Sequence, residues 1–501
     1  SRMPWMDRGE GRFVNTSRFE KTYVLGNIVN VEPTGPKPFL QYSAYARNDI
    51  EHNFTIRISN ASGVIREIAR HKIFGDGHLL ANYTAEFSDI TSGGTFTLRS
   101  LADPQPPLPT GGEDTRNQIS VPHAILTFPQ KSIFQGNGMF IYTDSSRSVN
   151  PYYEFANIPA TAVAYDVTDV TAVTRIAGID VSGKRGYVVN ATDGKSHKLY
   201  IANTSAALTP LPAQRLTFRY IDPNAVDYII LTNKRLMATA AGASLPAPKE
   251  YAAYRASAAG GGYDTLLVFM DNLVDQFHYG EFSSFAIKNF LNYMTSVPSP
   301  KHMLILGKGT DLSRVNYRVA SQRQQDLVPT GGSPGSDVIF SADFKNNSFI
   351  PKVPTGRVSA TTPTDIMNYL NKVKEHEALP DGLEWRKNIL QLGGGKTVGE
   401  INQIGSYLRS YAKIAEGPLL GARITEKYRQ NVSEVTEVIN VSEELNKGLS
   451  LITFFGHSSA GSTDLDIGYV STAINNYKNK GKYPMMLMNG CNVGDAFNPG
   501  Y

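Results

Sequence analysis

The sequence predicts a multidomain protein, an N-terminal all-β region followed by an α/β domain built on parallel sheets. Three observations carry this. At 501 residues, 41% of them hydrophobic, the chain is too long for a single core. From Thr22 to about Leu216 it consists of short β-branched and aromatic runs broken by turn residues, the pattern of antiparallel strands. After about Phe218, near-continuous apolar runs alternate with amphipathic stretches, as βαβ units with a sheet buried on both faces require.

In the first region the strand candidates are "TYVLGNIVNV", "FTIRI", "GTFTL", "HAILTF", "GMFIYT", "TAVAYDV", "GYVVN" and "KLYIA". Two Pro/Gly-rich stretches interrupt them. "LADPQPPLPTGGEDTRN" reads as a long solvent loop, and "TPLPAQR" lies near a domain boundary. Residues 1–217 are therefore assigned to the β-rich region, as two subdomains with a break near 105–120 or 150–165.

The second region divides into an α/β subdomain over 218–385 and another over 386–501. Its strands are "DYIILT", "DTLLVFM", "KHMLILG", "KNILQLGGG", "LSLITFFGH" and "YPMMLMNGC". One helix is marked by Phe282, Phe285, Ala286, Asn289, Phe290 and Tyr293, a stripe at helical spacing. Another, "SEELNKG", has Ser442 as the expected N-cap and Gly448 as the stop. A third is expected around "VSTAINNYKNKGK".

Composition excludes some functions. A net charge of +4, from 49 basic and 45 acidic residues without long runs, leaves no footprint for nucleic acid. A single cysteine cannot form an intramolecular disulfide, which fits a reducing compartment or a large fold in an oxidising one. No apolar run reaches the roughly 18 residues of a membrane span. The opening "SRMPWMDRGEGRF" has neither an initiator Met nor an apolar signal and reads as a processed or trimmed end.

The chemistry is expected at the carboxyl ends of the parallel strands, where open α/β sheets present their ligands. "LSLITFFGHSSAG" leaves its strand near Phe455 and turns through Gly456 into His457. "YPMMLMNGCNVGD" leaves its strand near Met488 and turns through Gly490 into Cys491, 34 residues later, the length of one crossover. If the two strands are neighbours, His457 and Cys491 share one rim. A thiol next to an imidazole is the arrangement that nucleophilic thiol catalysis needs. Taken singly, each residue has an ordinary structural explanation: a buried apolar cysteine, or a histidine bonded to a backbone carbonyl. Gly456 and Gly490 fit positions where a side chain would block substrate or where the backbone angle is unusual. Elsewhere, "LGGGKTVGE" lacks the ending of a phosphate-binding loop, and "HYGE" offers two metal-type ligands without a third. Asp464, Asp466 and Asp495 are acids near the site, able to orient His457 or bind a hard cation, although solvated loops are their usual place.

These residues resemble the gingipain-like cysteine peptidases, family C25 of clan CD. "FFGHSS" and "MNGCNVGDAF" resemble that family's two apolar strands, one ending in His-Gly and the other in Ala/Gly-Cys. "LVFMDNLVDQFHYGEFSSFAIKNFLNYM", "HMLILGKGTD", "VPTGGSPGSD", "VPTGRVSATTPTDIMNYLNKVKEHE" and "WRKNILQLGGG" resemble its successive blocks. The block "FHYGEFSSFAIKNFL" and the long β-rich front are most similar to the sortases of type IX secretion. The resemblance implies a caspase/gingipain-like fold with Cys491 as nucleophile and His457 as general base and acid. It places the backbone N–H groups of Cys491 and Ser458 in the oxyanion hole. The family's usual His-orienting acid aligns near Gly393, leaving Glu400 or Asp464 to take its part, and Ser458 stands where the family usually has Gly. The implied enzyme is on the cell surface, outer-membrane associated, in a Bacteroidetes-type bacterium. It removes the C-terminal signal domain of secreted cargo and passes the cargo to anionic lipopolysaccharide. Its implied partners are the outer-membrane barrel PorV and attachment-complex subunits. It requires no cofactor and has no metal at the catalytic site; surface loops leave room for a structural Ca2+, without an EF-hand-type loop. Because the family continues well beyond its cysteine, the chain is expected to be an incomplete catalytic unit. Two other readings stay open: a secreted gingipain-like endopeptidase, and a non-catalytic surface scaffold with a decayed peptidase fold.

Overall fold

The computed structural model describes residues 17–499 apart from 47–49, 76, 110, 144–148, 191–192, 300, 312–313, 315–318, 333, 344–345 and 347. The opening segment "SRMPWMDRGEGRF" lies outside the described residues. The chain forms two compact units that meet in sequence at Gln214 and Arg215.

The first unit is antiparallel throughout its strands. Lys21–Leu25 (β1), Phe39–Ala46 (β2), Glu51–Ser59 (β3), Ile65–Phe74 (β4), His78–Thr84 (β5), Phe96–Ala102 (β6) and Ile119–Thr127 (β7) make two sheets, ordered β1-β6-β3-β4 and β5-β2-β7. Alternate residues point inward, as a half-buried sheet requires: Leu40 and Tyr42, Phe54, Ile56 and Ile58, and Phe96 and Leu98 fill the core between the sheets. Then come Gly138–Tyr142 (β8), Tyr152–Phe155 (β9), Ala162–Asp166 (β10), Thr174–Ile176 (β11), Gly178–Val181 (β12), Lys184–Val188 (β13) and Lys198–Asn203 (β14). They are ordered β11-β10-β14-β8 and β12-β13-β9 around Phe134, Phe155 and Tyr187. β7 follows the Pro-rich stretch yet pairs back onto β2. The change from the first pair of sheets to the second therefore falls between Thr127 and Gly138, not near 105–120 or 150–165.

The second unit holds two four-stranded parallel sheets. The first contains Tyr228–Thr232 (β15), Thr265–Phe269 (β16), His302–Leu306 (β17) and Thr355–Val358 (β18), in the order β16-β15-β17-β18. Ile229, Leu231, Val268 and Ile305 face Met270–Phe277 (α2) and Phe285–Met294 (α3). Ile230, Leu304 and Leu306 face Ala247–Ala256 (α1) and, beyond the short Ala320–Arg323 (α4), Pro363–Glu377 (α5). Burial on both faces explains the unbroken apolar runs. In α3 the buried positions are Ala286, Ile287, Phe290, Leu291 and Met294, while Asn289 and Tyr293 face outward. The buried stripe is thus turned from the expected one, and the helix starts at Phe285, whose amide donates to the Ser283 hydroxyl at 3.0 Å.

The second sheet contains Asn388–Gly393 (β19), Arg423–Tyr428 (β20), Leu451–Phe455 (β22) and Met485–Asn489 (β24), in the order β20-β19-β22-β24. Val398–Ala415 (α6) covers one face through Ile404 and Leu408. Ser442–Lys447 (α7), with Leu445, covers the other beside Leu390, Leu392, Ile452 and Phe454. The two-residue strands Glu437–Val438 (β21) and Leu465–Asp466 (β23) pair beside it. Two sequence expectations are corrected here. Ser442 is the first helical residue of α7 and not its cap; its amide is held by the Asn440 side chain at 2.8 Å. The crossover from β22 to β24 contains no α-helix: "VSTAINNYKNKGK" forms only the short 3₁₀ turn Ala473–Asn475, ended by left-handed Asn476 (φ 56°) and followed by Gly481 (φ 78°). Adjacent Asn residues and a Gly, all weak helix formers, account for this.

Candidate active site

Parallel pairing of β22 with β24 sets Phe455 opposite Asn489. Each strand then continues through one glycine, so His457 and Cys491 occupy equivalent positions beyond the same end of the sheet. The ladder reaches into the turn, where the Gly456 amide donates to the Asn489 carbonyl at 3.2 Å. Cys491 is exposed, which removes the reading of a buried apolar group, and Asn492 after it is left-handed (φ 59°), a conformation asparagine tolerates.

The neighbouring strand supplies the acid. β19 lies on the other side of β22, with Gly393 opposite Phe455. The chain leaves it through "GGKT" into α6, where Thr397 caps Glu400 by accepting its amide at 3.2 Å. Glu400 Oε1 lies 2.8 Å from His457 Nε2, and its Oε2 accepts the Lys396 amide at 2.7 Å. The Lys396 amide first, and His457 second, hold the Glu400 carboxyl below the usual carboxylate range. The "LGGGKTVGE" segment is thus the loop that carries an acid to His457.

Asp464 has a different place. It is 5% exposed, its Oδ2 accepts the Gly395 amide at 2.7 Å and lies 3.6 Å from buried Arg429, and its own amide donates to the His457 carbonyl at 2.8 Å. It braces the backbone of both turns. Asp466 accepts from Thr463 and Gly468, and Asp495 pairs with Arg314 at 2.7 Å. None of the three is a merely solvated acid. Among the described residues, no group of three or more His, Cys, Asp or Glu side chains could hold a metal ion.

The turn glycines have a packing reason that differs from the expected one. Neither Gly456 nor Gly490 is left-handed. A Cβ at Gly456 would meet Asp464 Oδ1 at 2.5 Å and Phe454 Cζ at 2.7 Å; one at Gly490 would meet Ser458 Oγ at 2.2 Å. The Ser458 hydroxyl fills the space that Gly490 leaves and donates to the Cys491 carbonyl at 2.8 Å. Bonds from the Asp464 amide to the His457 carbonyl and from the Ser459 amide to the Ser462 carbonyl flank the bridge between Ser458 and Thr463. That is the non-hydrogen-bonded pairing, so the Ser458 N–H faces away from Thr463. The Ser458–Gly490 fit and the buried Arg429–Asp464 pair left no sequence signal: each joins residues more than 30 positions apart through backbone turns.

The model of Peptidase family C25 matches residues 221–500. The chain belongs to Peptidase family C25. Its α/β unit is a gingipain-like cysteine peptidase domain, and the all-β unit precedes the C25 match. No curated protein matches the chain. Among solved structures, dimeric latent PorU from Porphyromonas gingivalis is similar over 74% of this chain at 14% identity and a TM-score of 0.49. This chain spans 36% of that PorU's length. PBSX exported protein XepA is similar over 39% of this chain and 86% of its own, at 9% identity and a TM-score of 0.14. The tandem CBM22 domains of Xyn10C from Paenibacillus barcinonensis are similar over 40% of this chain and 93% of their own, at 8% identity and a TM-score of 0.13. Among the described residues, no helix of this C25 peptidase is long and apolar enough to cross a membrane.

Proposed function

We propose that the protein acts as a sortase-type thiol transpeptidase at the surface of a Bacteroidetes-type bacterium, outer-membrane associated. In this reading it removes a C-terminal signal domain from secreted cargo and passes the cargo to an amine of anionic lipopolysaccharide. The observation that carries the thiol chemistry is the register-matched placement of His457 and Cys491, with Glu400 on the imidazole at 2.8 Å. With Nε2 turned to Glu400, Nδ1 is the nitrogen left to take the Cys491 proton. The sulfur attacks the scissile carbonyl, and the developing oxyanion accepts from the backbone N–H groups of Cys491 and Ser458. His457 then returns the proton to the departing amine, which leaves as the new N-terminus of the signal domain, and a thioester remains. An amine resolves it to an amide; water would resolve it to an acid.

The transfer step, PorV and attachment-complex subunits as partners, and the absence of any required metal are supported by the ordered sequence blocks that resemble type IX sortases. A structural Ca2+ in the surface loops is compatible with this chemistry. Two features favoured the scaffold reading, a missing acid and an intrusive Ser458. Glu400 supplies an acid, and the Ser458 hydroxyl rests against Gly490 on the Cys491 carbonyl. The test incubates cargo with the full-length protein and a small amine. Amide-linked product from the wild type, and none from Cys491→Ala, supports the proposal. Hydrolysed product alone makes the protein an endopeptidase, and unchanged processing by Cys491→Ala refutes the site.

A further inference from the structure

We propose that the loops at the carboxyl end of the first sheet position the nucleophile, acting through Phe497; the inference rests on the Cys491–His457 reading above. Among the described residues, Cys491 sits in a segment that regular structure holds only on its N-terminal side. β24 ends at Asn489, Cys491 is exposed, and Asn492 and Gly494 are both left-handed (φ 59° and 69°). Six positions beyond the cysteine the chain is fixed again. The Phe497 carbonyl accepts the Asp311 amide at 2.9 Å, and the Asp311 carboxylate accepts the Gly335 amide at 2.7 Å. The Phe497 ring packs on Gly335, where a Cβ would come within 2.9 Å of ring atoms, and lies 5.4 Å from the Arg357 guanidinium. Between cysteine and ring, Asp495 pairs with Arg314 at 2.7 Å.

The anchor is itself rigid. The Arg357 side chain is only 6% exposed, grips Asp337 through two nitrogens at 2.7 and 2.8 Å, and donates to the carbonyls of Gly307 and Val328 at 2.8 Å each. A cation held this way cannot follow a moving ring, so the ring is held to the cation. Gly307 follows β17, Arg357 lies in β18, and Val328 is tied to the chain just beyond β17 by its amide, which donates to the Lys308 carbonyl at 3.1 Å; this sheet contributes no member of the catalytic pair. The nucleophile's turn is therefore suspended between two sheets, with β24 setting one end and the Phe497 clamp the other. Loss of the clamp leaves the ladder and His457 in place but lets the turn swing. Displacement by even about 1 Å costs around a hundredfold in reactions that need a set geometry. Phe497, Asp495 and Arg314 are positioning residues, not catalytic ones.

Alkylation of the full-length protein by iodoacetamide is read by mass spectrometry at the peptide that carries Cys491, the one cysteine of these 501 residues. Rates at neutral pH are compared for the wild type, His457→Ala, Phe497→Leu, Phe497→Tyr and Arg314→Gln, with thermal denaturation to confirm folding. The expected result is a fall of about tenfold for folded Phe497→Leu, toward the His457→Ala rate. A smaller fall is expected for Arg314→Gln, and a near wild-type rate for Phe497→Tyr, which keeps the ring. Wild-type rates in both Phe497→Leu and Arg314→Gln overturn the clamp while leaving the pair intact. Equal rates in the wild type and His457→Ala overturn the pair and the clamp with it. Should Phe497→Leu fail to fold, Arg314→Gln on the more exposed arm decides.

Discussion

Gly490→Ala is the most informative substitution at the site, because its effect follows from a fit between two residues 32 positions apart. The new Cβ would stand 2.2 Å from Ser458 Oγ, 3.0 Å from Ser458 Cβ and 3.2 Å from Phe454 Cε1. The hydroxyl must move, losing its 2.8 Å bond to the Cys491 carbonyl. A hydrogen bond of this kind contributes about 0.5–1.5 kcal/mol, here toward the low end because the site is exposed. The residual crowding costs about 1–3 kcal/mol. Roughly 1.5–4 kcal/mol applied at the turns that carry His457 and Cys491 corresponds to a fall in turnover of about tenfold to a thousandfold. Ser458→Gly alone leaves a carbonyl that water can reach, and it changes turnover about twofold. The double variant Ser458→Gly/Gly490→Ala removes the collision and recovers most of the loss, short of the contact with Phe454. The assay is a double-mutant cycle on peptide turnover, with thermal denaturation beside it. A coupling above about 1 kcal/mol is expected. Additive losses would show that the two residues do not share the space, and the account of Ser458 would fall.

Other predictions follow from the same geometry. Glu400→Gln keeps the shape of the acid but not its charge; turnover is expected to fall about tenfold or more, whereas Asp464→Asn acts on stability more than on the pH profile of turnover. Because the Glu400 carboxyl is held below the usual range by the Lys396 amide and then His457, its contribution to stability is present above the unfolded carboxylate pKa. It is lost as pH falls through the folded value, which wild-type and Glu400→Gln denaturation compared from pH 7 down to pH 3 would show. In the β unit, His197 lies between Asp166 (2.6 Å) and Asp193 (3.0 Å), which raise its pKa, Asp166 most. Its stabilisation is present below the unfolded histidine value, about 6.5, and fades as pH rises through the folded one. His197→Gln should therefore lower the melting temperature at pH 5.5 and have little effect at pH 9. Phe454→Ala empties a fully buried position that also walls both turn glycines; a loss of about 3–5 kcal/mol in chemical denaturation is expected.

The strands of the α/β unit were legible because burial on both faces writes an unbroken apolar run. β15, β16, β17, β19 and β22 lie within such runs; β24 carries an equally apolar run although Met485, Met486 and Leu487 are exposed. β18 and β20 were not, since "TGRV" and "RITEKY" mix polar and charged residues with few apolar ones on partly exposed faces. Cys491 and His457 could be brought together from sequence because neighbouring parallel strands of one crossover end on the same rim. Glu400 could be named only as one of two acids: its approach to His457 depends on where α6 starts, which the Thr397 cap sets. The clamp at Phe497 was invisible, for its partners at Asp311, Gly335 and Arg357 belong to another sheet and no periodicity links them.

The register of β22 on β24 has a further consequence. The separation of His457 from Cys491 is set by backbone rungs and not by the length or shape of the chain that joins them. The exposed stretch from Tyr469 to Ile474, beyond the braces at Ser458 and Asp464 and without an α-helix, is where an insertion leaves those rungs untouched. A short epitope or fluorophore-bearing loop grafted beside exposed Ile474 would travel with the site as a reporter.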